Sequence, residues 1–149
     1  RNVVVDCGLF LKRLLCGAGQ RYLLRMFFTR VEGDFSAAHQ LVHFHGKCER
    51  LHGHNYRVRV WARGESLDEG GMLVDFGVLK KALAEVLAQL DHYNLNDNPF
   101  FADDPSAERI ALYIFENLKR NHPELPLAAV DVYENVGSMA RYCPDGSVF

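Results

Sequence analysis

Four of the chain's seven histidines and one of its four cysteines fall between residues 43 and 54, in His43-Phe44-His45-Gly46-Lys47-Cys48-Glu49-Arg50-Leu51-His52-Gly53-His54. Imidazole nitrogen is a preferred ligand of zinc, and a catalytic zinc site takes three protein ligands while keeping a fourth position open. His52 and His54 lie two apart at the entry to a predicted strand, so in extended backbone both imidazoles point to one face. Gly53 between them lets another group approach closely. His39, near the end of an earlier predicted strand, is available as a third ligand. His43 and His45 have the same spacing, and spacing alone does not choose between the two pairs. The plain alternative is that each histidine is a hydrogen-bonded loop or surface residue.

Three further groups carry chemistry. Cys48 stands four residues before His52, where zinc and Lys47 or Arg50 would raise its thiolate fraction. Buried, inert sulfur is the commoner use of a lone cysteine and is the reading for Cys7, Cys16 and Cys143. Asp91-His92, just past a predicted helix, places a carboxylate beside an imidazole that it can orient as a proton relay; a structural use would be to cap the helix end. Glu134 is in phase with Val130 and Val132 on a predicted strand, which puts a carboxylate on a mainly apolar face where it needs a donor or a ligand.

The elements that must position these groups are readable from periodicity. Residues 26–35 form a β-rich run. A His- and Gly-rich loop is expected from Ser36 to about Gly53. Residues 55–63 alternate cleanly, with Tyr56, Val58, Val60 and Ala62 on one face and Arg57, Arg59 and Trp61 on the other. Asp75 caps a helix over about 76–90, whose apolar row is Phe76, Leu79, Leu83, Val86, Leu87 and Leu90. Asp104-Pro105 announces a second helix, with Ile110, Ile114 and Leu118 buried and Asn121-His122-Pro123 as its stop. Strands at 127–135 and 138–143 follow, joined by a turn near Asn135-Val136-Gly137. The order β-β-α-α-β-β predicts an α+β domain, an antiparallel four-stranded sheet with two helices on one face. Two open sheet edges make homo-oligomerisation the physical expectation.

Bulk properties exclude several classes. The 149 residues suffice for one domain, and 48% hydrophobic with 24% charged residues is an ordinary globular composition. A net charge of −2 leaves no footprint for nucleic acid. The cysteines form no CxxC pair, which fits a reduced, cytoplasmic setting. In residues 1–25 the apolar run is broken by Asp6, Lys12 and Arg13, which argues against a membrane span and against a signal peptide. These residues read as an N-terminal extension, upstream of a native start, ahead of a domain over 26–149.

Six segments, in register from about residue 26 to 143, resemble the 6-pyruvoyl- and 6-carboxy-tetrahydropterin synthase family: residues 35–39, 48–56, 74–76, 90–95, 105–108 and 132–134. They read Phe-Ser-Ala-Ala-His, Cys-Glu-Arg-Leu-His-Gly-His-Asn-Tyr, Val-Asp-Phe, Leu-Asp-His-Tyr-Asn-Leu, Pro-Ser-Ala-Glu and Val-Tyr-Glu. The resemblance implies a T-fold, with trimers closing their sheets into a barrel, two trimers stacking as a hexamer, and active sites between subunits. It implies His39, His52 and His54 as zinc ligands, demoting His43 and His45. Cys48 becomes the catalytic base, assisted by Asp91 and His92. Glu134 anchors the guanidine-like edge of a pterin, where two parallel N–H donors match two carboxylate oxygens. Glu108 matches another pterin-contacting position, preceded by Ser106 where relatives often carry threonine.

The implied substrate is a small molecule, 7,8-dihydroneopterin triphosphate. The pyruvoyl enzymes usually have a longer spacer between cysteine and His-Gly-His than the present Glu49-Arg50-Leu51. The short form looks like the bacterial 6-carboxy enzymes, which feed queuosine and 7-deazaguanine synthesis and release acetaldehyde and triphosphate. A non-catalytic pterin- or zinc-binding module would need only the histidines and Glu134, and the presence of Cys48, Asp91 and His92 argues against it.

Overall fold

Alternation decides the central strand. In β2 (His52–Gly64), Tyr56, Val58, Val60 and Ala62 are buried in strict turn with more exposed neighbours, as period-2 side chains require. The computed structural model describes residues 25–101 and 104–146. The reading of residues 1–25 as an extension, and of Cys7 and Cys16 as buried sulfur, therefore lies outside the described residues but for Arg25.

The remaining elements are β1 (Phe27–His39), α1 (Phe76–Leu87), α2 (Ala107–Asn121), β3 (Leu127–Asn135) and β4 (Ser138–Tyr142). The sheet runs β1-β2-β3-β4 with every neighbour antiparallel. Both helices lie on the face formed by Val31, Phe35, Val58, Val60, Val130 and Val132, and Leu79, Leu83, Ile110, Ile114 and Leu118 complete the core. Gly33 shares that face of β1. A Cβ there would come within 3.0 Å of Leu87 and 3.2 Å of Leu83, so glycine is what lets α1 seat closely on the strand. The opposite face is polar: Arg59 Nε donates to Glu32 at 2.7 Å, and the fully buried Asp131 accepts from Trp61 Nε1 at 2.8 Å and from Arg141.

Several boundaries differ from expectation, β2 among them, which starts at His52 and not at Asn55. β1 continues past Phe35 to His39, because Ser36, Ala37 and Ala38 pair with Asn55, His54 and Gly53; the loop shrinks to residues 40–51. α2 is capped by Ser106, whose Oγ accepts from the Arg109 N–H at 3.4 Å, and not by Asp104, whose carboxylate is turned to His43. α1 ends at Leu87, three residues short, with the backbone turning on through Ala88–Leu90. Cys143, expected among buried sulfurs, is half-buried, with its thiol 3.0 Å from an Asp145 oxygen. Among the described residues, no helix is long and apolar enough to cross a membrane.

Candidate functional site

The pairing of β1 with β2 assembles three imidazoles at one end of the sheet. His39 stands opposite His52 and Ala37 opposite His54, so the last residue of β1 joins the two alternate histidines that open β2. Ring centroids are 4.5 Å apart for His39–His52, 5.2 Å for His39–His54 and 4.9 Å for His52–His54. Their candidate ligand atoms all lie within 4.8 Å of one another.

Hydrogen bonds select the tautomers. His39 Nδ1 is 2.8 Å from the Pro105 carbonyl oxygen and His52 Nδ1 is 2.7 Å from that of Arg50. A carbonyl only accepts, so each Nδ1 carries a proton, and in the neutral form of either ring Nε2 is the nitrogen that offers a lone pair. His39 is 1% exposed and its Nε2 has no hydrogen-bond partner. Burial is the main cause that depresses its pKa, which keeps the imidazole neutral, the form a metal requires. A buried lone pair without a donor, converging with two other imidazoles, fits a zinc ion.

The competing pair is engaged elsewhere. His43 bonds to Asp104 through Nδ1 at 2.6 Å, and the exposed His45 lies 3.2 Å from Glu49.

Cys48 sits half-buried in a single 3-10 turn, Lys47–Glu49, and its carbonyl accepts from the Leu41 N–H at 2.9 Å. Asp91 and His92 are held on the outer edge of β1. Asp91 Oδ1 accepts from the Ser36 N–H at 2.8 Å, Oδ2 is 2.9 Å from His92 Nδ1, and the His92 N–H donates to the Ser36 carbonyl at 2.6 Å. His92 adopts the left-handed region at φ 60°, a conformation uncommon outside glycine and one that clusters at functional sites. Its imidazole is 82% exposed, and among the described residues the side-chain hydrogen bonds of the pair run to Ser36 and to each other, not to Cys48. A cleft of about 480 Å³ opens beside them, between residues 36–38, 53–55 and 92–94.

Glu134 is half-buried at the end of the core face of β3. Its charge acts on both His39 and Tyr56, opposing in small part the burial-driven lowering at His39 and adding to the rise at Tyr56. Tyr56 is a group that periodicity alone assigned only to the strand's apolar face. It is fully buried, its hydroxyl has no partner, and its ring meets His54 and His39 edge-on at 5.4 and 5.9 Å. Burial first, then Glu134, pushes its ionisation far above the ordinary tyrosine range. The signal available in the sequence was its phase with His52 and His54. Glu108 is exposed in the first turn of α2, and among the described residues no hydrogen bond or ion pair ties it to the imidazoles.

A profile of the 6-pyruvoyl tetrahydropterin synthase family matches residues 29–145, a span that contains all of these groups. The chain belongs to this family. It is 43% identical over 123 residues to the 6-carboxy-5,6,7,8-tetrahydropterin synthase of Synechocystis, covering 78% of this chain and 93% of that protein. It is 39% identical over 124 residues to the human 6-pyruvoyl tetrahydrobiopterin synthase, covering 73% and 86%. Among solved structures, the 6-pyruvoyl tetrahydropterin synthase of Caenorhabditis elegans superposes with a TM-score of 0.72 at 32% identity, covering 80% of this chain and 96% of that one. The four-stranded antiparallel sheet with two helices is the family's T-fold.

Proposed function

We propose that this chain is a zinc-dependent lyase of pterin metabolism that converts 7,8-dihydroneopterin triphosphate and one water into 6-carboxy-5,6,7,8-tetrahydropterin, acetaldehyde and triphosphate. The observation that carries the metal-dependent reading is the buried, unpartnered Nε2 of His39 converging with His52 and His54. The 6-carboxy product is favoured by the 43% identity across nearly the whole Synechocystis enzyme, together with the three-residue spacer before His52.

In this reading His39, His52 and His54 hold the ion, which when bound supplies a Lewis acid for the substrate's side-chain hydroxyls. The protein's own groups do the rest. Glu134 accepts paired N–H donors from the pterin edge, in a half-buried setting where charge-assisted bonds are strong. Cys48 takes and returns protons at the carbons next to those hydroxyls. Asp91 holds His92 through Nδ1, leaving Nε2 free to relay a proton outward, and Glu108 contributes at the pterin rim. Because His92 faces out from the edge of β1, a neighbouring subunit would complete the site, in keeping with a hexamer built as a dimer of trimers.

A 6-pyruvoyl reading, elimination of triphosphate without acetaldehyde release, is favoured by the 39% identity to the human enzyme. Product analysis separates the two. Zinc-loaded protein incubated with dihydroneopterin triphosphate should release acetaldehyde, and Cys48→Ala should keep its zinc while turnover falls by about 10²–10⁴-fold. A 6-pyruvoyl product would move the chain to the second reading. Pterin binding without either product would make it a binding module, and zinc loss in Cys48→Ala would make the sulfur a fourth ligand.

A further inference from the structure

Two side chains from the segment between α1 and α2 reach across to the loop that carries Cys48. Asn96 pairs reciprocally with the backbone of Gln40: its Oδ1 accepts the Gln40 N–H at 2.9 Å, and its Nδ2 donates to the Gln40 carbonyl at 2.9 Å. Asp104 grips His43 twice, with Oδ1 accepting the His43 N–H at 3.1 Å and Oδ2 lying 2.6 Å from Nδ1. Between these anchors is Leu41, whose N–H donates to the carbonyl of Cys48. The backbone of Cys48 therefore hangs from a residue pinned on both sides.

Loops outside regular ladders open at low free energy, so a few such anchors decide where a side chain in them stands. The clasp is also tied to the imidazole cluster, since Asp104 is followed by Pro105, whose carbonyl holds His39.

We infer that Asp104, acting through His43, is a positioning residue that sets Cys48 against the three-imidazole cluster. The inference rests on the reading of Cys48 as the proton-transfer base. Neither Asp104 nor His43 touches the reacting atoms. The His43 N–H, and after it the His43 ring, hold the Asp104 carboxyl below the ordinary aspartate range, so the clasp is charged at neutral pH. The His43 side chain is 72% exposed and that of Asp104 18%, and a contact with one partner in solvent contributes little to global stability. The consequence of breaking the clasp is local.

The test measures kcat and KM for dihydroneopterin triphosphate, zinc content, and amide exchange over residues 40–49, on the zinc-loaded full chain. Asp104→Ala and His43→Ala should each lower kcat on the order of 10²-fold, the scale of a misplaced catalytic group, with KM moving by less than about threefold. Both should keep zinc and speed exchange at the Leu41 amide. Asp104→Asn keeps an acceptor for the His43 N–H and a donor for its Nδ1, and should restore most of kcat. Unchanged kcat in both alanine variants, with Cys48→Ala inactive, would overturn the inference. So would zinc loss in Asp104→Ala with full activity in His43→Ala, because the effect would then run through Pro105 and His39. A fully active Cys48→Ala would instead overturn the reading of Cys48 as the base, and faster exchange at Leu41 would still report the clasp.

Discussion

His39 Nδ1 lies 2.8 Å from the carbonyl oxygen of Pro105, a residue 66 positions further along the chain. The contact fixes which ring nitrogen is protonated and aims the other inward. It is the kind of outer contact that orients a metal-bound histidine and tunes its basicity. It also ties the end of β1 to the start of α2, so the third imidazole of the cluster is set by helix packing as well as by strand pairing.

One zinc per subunit is the expected stoichiometry. Metal analysis should show severe loss in His52→Ala and His54→Ala, while His43→Ala, whose ring is bonded to Asp104, should retain its ion. Equal loss in all three would show that the wrong pair had been chosen.

Glu134→Ala should weaken pterin binding more than it disturbs folding. Each charge-assisted bond lost is worth about 1.5–3 kcal/mol, roughly tenfold or more in Kd, whereas the empty protein loses a half-buried carboxylate that has no hydrogen bond among the described residues. Titration calorimetry beside thermal melts decides it; a collapsed Tm with intact affinity would make Glu134 structural.

Asp91 gives a pH signature. The Ser36 N–H first, and then His92, hold its carboxyl below the ordinary aspartate range. A depressed folded-state pKa means the unfolded chain binds the proton more readily. The stability it contributes is present above the unfolded value, about 3.9, and is lost as pH falls through the lower folded value. Urea midpoints measured from about pH 6 down to about pH 2 should show wild type and Asp91→Asn converging in acid. A constant gap across that range would mean the carboxylate charge has no part in the contact.

Tyr56→Phe should leave the metal-free protein as stable as wild type, or raise its stability by up to about 1 kcal/mol, because the deleted hydroxyl is buried without a partner. Chemical denaturation is the measurement. A loss well above about 1 kcal/mol would show that the hydroxyl is satisfied in solution.

Local pattern was enough for much of this. The alternation of Tyr56, Val58, Val60 and Ala62 and the helical rows of α1 and α2 specify which faces are apolar, and a β-β-α-α-β-β order with an antiparallel sheet follows from where those faces change period. The six family segments likewise single out Cys48, Asp91, His92 and Glu134 as candidates.

What tertiary structure decided were choices between chemically equal candidates. His43-Phe44-His45 and His52-Gly53-His54 have the same spacing; the register that sets His39 opposite His52, and the capture of His43 by Asp104 across 61 positions, separate them. Asp104 and Ser106 are both good helix caps, and that same capture removes one of them. The run Ser36-Ala37-Ala38 has little strand character of its own and becomes strand because Asn55, His54 and Gly53 offer it a ladder. Likewise Asp91 meets the Ser36 N–H across 55 positions. Periodicity is a property of neighbours along the chain and sets which way a side chain faces. Which distant group it then meets depends on how the elements pack, and no spacing along the chain encodes that by itself.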